Sequence, residues 1–170
     1  PEVMVRTGGK SLREHQKRAL DAVTAGLSTA DRGKLIMACG TGKTFTSLRI
    51  AEAMAGSGGR VLFLVPSIAL LSQTLMEWSA ESEVPLRSFA VCSDTKVGKG
   101  RKRTSLSEDI SVVDLAIPAP TDGTALADRL ARRPAPVHGT APMTVVFSTY
   151  QSIDAVAQAQ ELGAPGFDLV

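Results

Sequence analysis

The sequence predicts an α/β fold in which a parallel sheet carries helices on both faces, as a three-layer sandwich. Short runs such as Val61–Val65 are apolar at every position, which is typical of strands covered on both faces. Stretches with helical spacing of apolar residues follow these runs. Strands that alternate with helices in this way form parallel sheets with right-handed crossovers.

Composition sets the broad class of the chain. Its 170 residues with 44% hydrophobic content suffice for one domain with a core. A formal net charge of +2 is ordinary, so composition does not indicate a nucleic-acid binder. Cys39 and Cys92 lie far apart without a CxxC pair, which argues against a zinc site or a disulfide framework. With neither a bilayer-length apolar run nor a signal core, a cytoplasmic location is expected.

The first half of the chain predicts three helices and two strands. A capping box of Ser11 and Glu14 opens an amphipathic helix over residues 11–27. The apolar run Lys34–Ala38 predicts a strand, and helical spacing resumes over Lys43–Ala55. After the strand Val61–Val65, a further helix starts at Pro66 and Ser67 and carries Leu70, Leu71, Leu75 and Trp78.

The second half predicts two more strands around an insertion. The strands are Arg87–Ser93 and Met143–Ser148, and a helix over Tyr150–Glu161 follows the latter. Between them lies an insertion at about 93–141, with one short helix over Asp122–Arg133. We expect residues 1–10 to be an N-terminal tail and 11–170 to be one domain. The start at Pro1 and the strand-like ending Phe167–Val170 indicate a piece of a longer protein.

The strongest chemical signal is a glycine-rich loop between a predicted strand and helix, with the sequence Gly40-Thr41-Gly42-Lys43-Thr44. A phosphate cradle needs small residues that expose backbone N–H groups, a helix N-terminus, a lysine for the outer phosphates and a hydroxyl for Mg²⁺. Lys43 and Thr44 are therefore the candidate catalytic residues, with Thr44 as the Mg²⁺ ligand. Met37 departs from the full GxxxxGK[ST] pattern at its first position. The alternative is a tight glycine turn without a ligand.

Four segments in order resemble known motifs of superfamily 2 helicases. They resemble the Q-type motif and motifs I, Ia and Ib: Leu12–Gln16, Met37–Thr44, Val65–Gln73 and Phe147–Ser152. The likeness is to the DEAD/DEAH-like branch found in type III and type I-like restriction-enzyme motor subunits. It implies the N-terminal, RecA-like lobe of a P-loop NTPase that acts in restriction or phage defence.

The resemblance implies that ATP and Mg²⁺ are the cofactors. The nucleotide-binding residues would be Arg13, Gln16, Gly40, Thr41, Gly42, Lys43, Thr44 and Phe45. The amide of Gln16 offers a donor and an acceptor to the adenine edge, which would favour ATP over GTP, and Arg13 could lie along the base. Alternatively, Arg13 and Gln16 lie on the solvated face of an amphipathic helix.

The resemblance also implies a nucleic-acid partner, with DNA favoured. The contact residues would be Pro66, Ser67, Gln73, Ser148, Thr149 and Tyr150. A helix N-terminus at the carboxyl edge of a parallel sheet can hold a phosphate without reading sequence. Ser67 as a plain N-cap and Tyr150 as a buried side chain are the alternatives. The basic cluster within residues 96–103 is interpreted as a solvated loop in preference to a nucleic-acid contact.

Hydrolysis in such motors needs a carboxylate after a further strand and an arginine from a second lobe. Asp168 precedes the apolar residues at the chain end, so we do not assign it this role. The chain is expected to stop before this acidic Walker B motif, so that it binds ATP without turnover while its parent protein hydrolyses it. Two alternatives stay open, a small-molecule P-loop kinase and a nucleotide-binding module that does not hydrolyse.

Overall fold

The structure is a computed structural model that describes residues 10–92 and 123–170. In these ranges it contains five α-helices, one 3₁₀ helix and three strands. In chain order they are α1 (Glu14–Leu27), α2 (Lys43–Met54), β1 (Arg60–Val65), α3 (Ile68–Glu81), β2 (Leu86–Val91), α4 (Gly123–Ala131), β3 (Met143–Thr149), the 3₁₀ helix (Tyr150–Ser152) and α5 (Ile153–Glu161). The predicted strands other than Lys34–Ala38 and the strand-like chain end, and the predicted helices, are present with small shifts of their ends.

The three strands form a parallel sheet in the order β1-β3-β2. In its register Val65 lies opposite Thr149, and Val91 lies opposite Ser148. The carboxyl ends of all three strands therefore meet at one edge, which we call the carboxyl edge.

Helices cover both faces of this sheet, as predicted. Helices α2 and α3 pack on one face, where the buried cluster includes Leu48, Trp78 and Phe147. Helices α4 and α5 pack on the other face, where Leu126 and Val146 are buried. Because successive side chains of a strand point to opposite faces, Val146 and Phe147 of β3 serve different clusters. The result is the expected three-layer sandwich.

The prediction of a strand over Lys34–Ala38 is wrong. This segment has no strand structure, and Ile36 is 91% exposed. A strand needs a neighbour for its backbone hydrogen bonds, and apolar composition cannot replace one. Among the described residues, β3 pairs only with β1 and β2, and the bridge from Val61 leads to Leu169. None of these strands pairs with residues 34–38.

The predicted capping box of Ser11 and Glu14 is also wrong. Helix α1 begins at Glu14 with Arg13 as the N-cap. The backbone N–H of Arg13 donates a hydrogen bond to Oε1 of Gln16 at 2.9 Å. A glutamine three residues after the N-cap can reach back in this way, so Gln16 takes the place that the sequence assigned to Glu14.

Two further segments bear on the predicted organisation. The predicted terminal strand is represented by one bridge, in which the N–H of Leu62 donates to the carbonyl of Leu169 at 2.9 Å. Within the predicted insertion, α4 is packed into the sandwich through Leu126 and Leu130. The basic cluster at 96–103 lies outside the described residues.

Of the helices in residues 10–92 and 123–170, none is long and apolar enough for a membrane span.

Candidate nucleotide and nucleic-acid site

The glycine-rich loop has the backbone that its sequence predicts. Gly40 and Gly42 have φ angles of 77° and 79°, in the left-handed region that favours glycine. The hydroxyl of Thr41 donates to the carbonyl of Ala38 at 2.7 Å, and Nζ of Lys43 donates to the same oxygen at 3.2 Å. Two side chains of the motif thus brace the loop around one carbonyl.

Helix α2 begins directly behind this loop, with Gly42 as its N-cap and Lys43 as its first residue. The first N–H groups of a helix have no acceptor within the helix and carry the positive end of its dipole, which suits an anion. The ring of Phe45 is buried, with the Arg49 guanidinium 4.8 Å from its centroid. Phe45 can therefore serve a ligand only through its backbone N–H.

Two residues of α1 converge on the carbonyl of Thr41. Nε2 of Gln16 donates to this oxygen at 3.0 Å, and Nε2 of His15 lies 3.1 Å from it. Gln16 is buried, so the alternative that it lies on a solvated helix face is wrong, whereas Arg13 is exposed. Each polar atom of the Gln16 amide keeps one further hydrogen-bonding position beside its bond to the protein.

One contact at the loop was missed by sequence reasoning. The indole N–H of Trp78 in α3 donates to the backbone carbonyl of Thr44 at 3.1 Å. The sequence pattern identified Trp78 only as an apolar residue of a predicted helix. The signal that could have found it is that a buried indole N–H normally has an acceptor.

At the carboxyl edge, the residues after β1 are open to solvent. Pro66, Ser67 and Gln73 are all exposed. The hydroxyl of Ser67 accepts a hydrogen bond from the N–H of Leu70 at 3.3 Å, so Ser67 is the N-cap of α3. The capping role and an exposed hydroxyl at a helix N-terminus occur together.

The residues after β3 differ in accessibility. Ser148 and Thr149 are buried, and their hydroxyls bond within the protein, to the carbonyl of Thr149 at 3.0 Å and to Oγ of Ser152 at 3.1 Å. Tyr150 is 56% exposed, so the alternative of a buried tyrosine is wrong. Of this group, Tyr150 is the side chain that a ligand can reach.

Asp168 lies at the opposite end of the sheet. Its Oδ2 accepts a hydrogen bond from the N–H of Arg60, the first residue of β1, at 2.7 Å. The amino ends of parallel strands lie away from the edge that carries Ser67 and Tyr150. The position of Asp168 agrees with leaving it out of the site.

A family model for the res subunit of Type III restriction enzymes matches residues 9–170 of this sequence. The chain belongs to this family. The family membership argues against the kinase alternative, because the family is that of a restriction-enzyme subunit.

Solved structures and a curated relative agree with this membership. The chain is 40% identical to the Type ISP restriction-modification enzyme LlaGI, solved with a DNA substrate mimic, with a TM-score of 0.75 over 94% of this chain and 15% of that one. It is 38% identical to the ATP-dependent Type ISP enzyme LlaBIII, bound to DNA, with a TM-score of 0.72 over 97% of this chain and 10% of that one. It is 36% identical to the replication restart protein PriA of Treponema pallidum (strain Nichols) over 100 residues. This match spans 57% of this chain and 15% of PriA.

Proposed function

We propose that this chain is the ATP-binding lobe, the first RecA-like lobe, of an ATP-dependent DNA helicase or translocase of a restriction or phage-defence system. The observation that carries the proposal is the loop from Gly40 to Lys43. Its two left-handed glycines and the start of α2 form a phosphate cradle on a member of a restriction-motor family. The domain comprises residues 11–170 with an insertion at about 93–141.

In this function the loop and the first turn of α2 bind the phosphates of ATP. Backbone N–H groups from Gly40 to Phe45 face the anion, and Lys43 contacts its outer phosphates. The hydroxyl of Thr44 would hold Mg²⁺, which would supply positive charge to the phosphates. Among residues 10–92 and 123–170 no group of three His, Cys, Asp or Glu side chains is placed to hold a metal ion.

The adenine end is bound by α1. The amide of Gln16 uses its second donor and acceptor positions on the base, and the exposed Arg13 lies alongside it. Because Gln16 also bonds to Thr41, recognition of the base and the shape of the loop depend on the same side chain.

The carboxyl edge holds one strand of DNA by its backbone. Ser67 and the first N–H groups of α3 contact a phosphate, Gln73 contacts a second group along the strand, and Tyr150 contacts a sugar or base. Ser148 and Thr149 take part by shaping this edge from inside. DNA is favoured because LlaGI and LlaBIII were solved with DNA or a DNA mimic.

Hydrolysis requires more than these residues supply. A carboxylate for Mg²⁺ and water, and an arginine from a second RecA-like lobe, complete such a site in phosphoryl-transfer motors. Asp168 does not fill this role, because it lies at the amino ends of the strands, bonded to the N–H of Arg60. The chain alone should therefore bind ATP without turning it over, and we expect it to act in the cytoplasm.

A DNA-binding assay with turnover measured in parallel tests this proposal. Labelled single- and double-stranded oligonucleotides are titrated with the chain, by fluorescence anisotropy and in increasing salt. Tyr150→Ala should weaken binding, whereas Leu162→Ala, a similarly exposed change (55%) behind α5, should not. Equal DNA binding by the two variants would contradict the proposed DNA contact at the carboxyl edge. Release of phosphate by the chain alone would contradict the dependence on a second lobe.

A further inference from the structure

Trp78 joins the two proposed sites physically. It is the one tryptophan of the sequence and is fully buried in α3. Its indole N–H donates to the carbonyl of Thr44, in the first turn of α2. Helix α2 begins at the phosphate loop, and α3 begins at Ser67 on the carboxyl edge. The bond therefore connects the helix of the nucleotide site with the helix of the DNA site.

The bonded carbonyl belongs to the peptide unit whose N–H comes from Phe45. A peptide unit is planar, so its C=O and N–H point in opposite directions. In the first turn of a helix that N–H points out of the N-terminus, here towards the phosphate loop. The helix itself orients the carbonyl of Thr44. Trp78 adds a bond from another helix, which biases the direction of a phosphate-binding donor and also strengthens this donor.

The Thr44 carbonyl has a second side-chain donor, the hydroxyl of Ser47 at 2.8 Å. Ser47 belongs to α2 and moves with it. Trp78 belongs to another helix, so a movement of α3 relative to α2 acts on Thr44 through the indole. Of these two donors, Trp78 is therefore the one that can transmit a movement of α3 to Thr44.

Aromatic packing ties Trp78 to the sheet. Its ring lies edge-on to Phe63 of β1 and Phe147 of β3, with centroids 5.1 and 5.4 Å apart. Phe63 and Phe147 are directly opposite each other in the sheet register. Buried rings in such contact have little room to rotate, so the indole follows the strands whose carboxyl ends lead to Ser67 and Tyr150.

We propose that Trp78 is a positioning residue that couples DNA binding at the carboxyl edge to ATP binding at the loop. DNA that displaces the N-terminus of α3 shifts Trp78, about three helical turns further on. The shift is passed to the Thr44–Phe45 peptide. This inference rests on the proposed function, and it adds the side chain through which the two ligands affect each other.

The test compares the ATP affinity of the chain with and without a saturating DNA oligonucleotide. The ratio of the two dissociation constants is the coupling factor, and DNA should change ATP affinity by about fivefold or more. Trp78→Phe keeps a ring but removes the N–H, and it should bring the coupling factor to within about twofold of 1, since one hydrogen bond is worth roughly fivefold. Phe89→Leu is the control, since it changes a buried aromatic side chain on the opposite face of the sheet, away from Trp78 and Thr44. This control variant should lower stability and leave the coupling factor within about twofold of the wild-type value.

The outcomes separate this inference from the proposed function. A wild-type coupling factor of 1, or an unchanged factor in Trp78→Phe, overturns the role of Trp78 while ATP and DNA binding stand. Failure of the wild-type chain to bind either ligand contradicts the proposed function instead. Should Trp78→Phe not fold, tryptophan emission of the wild-type chain decides the matter. Emission that responds to Mg·ATP and to the oligonucleotide supports the role, and emission unchanged by bound ligands overturns it.

Discussion

The amide nitrogen of Gln16 occupies the space that a side chain on Gly42 would need. A Cβ on Gly42 would lie 2.5 Å from this nitrogen, closer than such atoms approach in proteins. Gly42 also has a φ of 79°. The glycine is thus required twice, once by its backbone conformation and once by the contact of α1 with the loop.

Gly42→Ala should therefore destabilise the chain more than Gly40→Ala. Gly40 has a similar φ of 77°, but no atom lies within 4 Å of the position that a Cβ would take there. Gly40→Ala should cost about 1–2 kcal/mol from the left-handed backbone alone. Gly42→Ala should cost about 1–2 kcal/mol more, because Gln16 must give up a hydrogen bond. Urea unfolding measures both, and equal losses would contradict the close contact with Gln16.

A second prediction concerns the buried guanidinium of Arg49, which pairs with two carboxylates. It pairs with Glu52, whose side chain is 9% exposed, and with Glu83, whose side chain is 72% exposed. Glu52 also accepts hydrogen bonds from the hydroxyl of Ser82 at 3.0 Å and from the N–H of Glu83 at 2.7 Å. Glu52 thereby fastens α2 to the turn that follows α3.

Glu52→Ala should lower the free energy of unfolding by about 3–5 kcal/mol, because it leaves a buried charge with poorer compensation. Glu83→Ala should change it by about 0–1 kcal/mol, as expected for an exposed partner. The two variants remove partners of the same cation, and their difference reflects the burial of Glu52 together with its hydrogen bonds from Ser82 and Glu83. Urea unfolding of both provides the measurement. A loss for Glu83→Ala as large as that for Glu52→Ala would show that exposure does not weaken the pair.

A third prediction concerns pH. The backbone N–H and the ammonium of Lys10 contact the carboxylate of Glu81 at 3.3 and 3.0 Å. The hydrogen bond from Lys10 lowers the pKa of Glu81 below its ordinary 4.5, and that from Glu81 raises the pKa of Lys10 above 10.5. The contribution to stability is therefore present between these values. It is lost as the pH falls through the lowered pKa of Glu81 or rises through the raised pKa of Lys10.

Unfolding of Lys10→Ala over a pH series checks this. The variant should be slightly less stable than the wild-type chain at pH 7, and the difference should disappear in acid and in strong salt. Lys17→Ala, another exposed lysine, serves as the control and should show no such pH dependence. A difference that persists in acid would exclude the ion pair as its cause.

Much of this fold could be predicted because its signals are local. Val61–Val65 and Met143–Ser148 are apolar at most positions, and the structure has strands there that are covered on both faces. Lys34–Ala38 has a similar composition but lacks a strand partner among the described residues. Pairing is a property of the whole sheet, so a local pattern cannot predict it.

The site was predictable to a similar extent. The phosphate loop follows from its residues, because glycine, lysine and threonine each have a fixed chemical part there. The inward direction of Gln16 and the bond from Trp78 to Thr44 depend on how α1 and α3 pack on α2. A sequence pattern places residues on a helix face but does not specify which atom of a neighbouring helix they meet.

The most direct test of the central claim is calorimetric titration of the chain with Mg·ATP, beside GTP and two lysine variants. Lys43→Ala should weaken ATP binding at least about tenfold, since it removes a charged hydrogen bond to the phosphates. Lys34→Ala, an exposed lysine outside the loop, should bind as the wild-type chain does. GTP should bind more weakly than ATP if Gln16 reads the base. Equal ATP binding by Lys43→Ala and the wild-type chain would contradict the assignment of the loop as the nucleotide site.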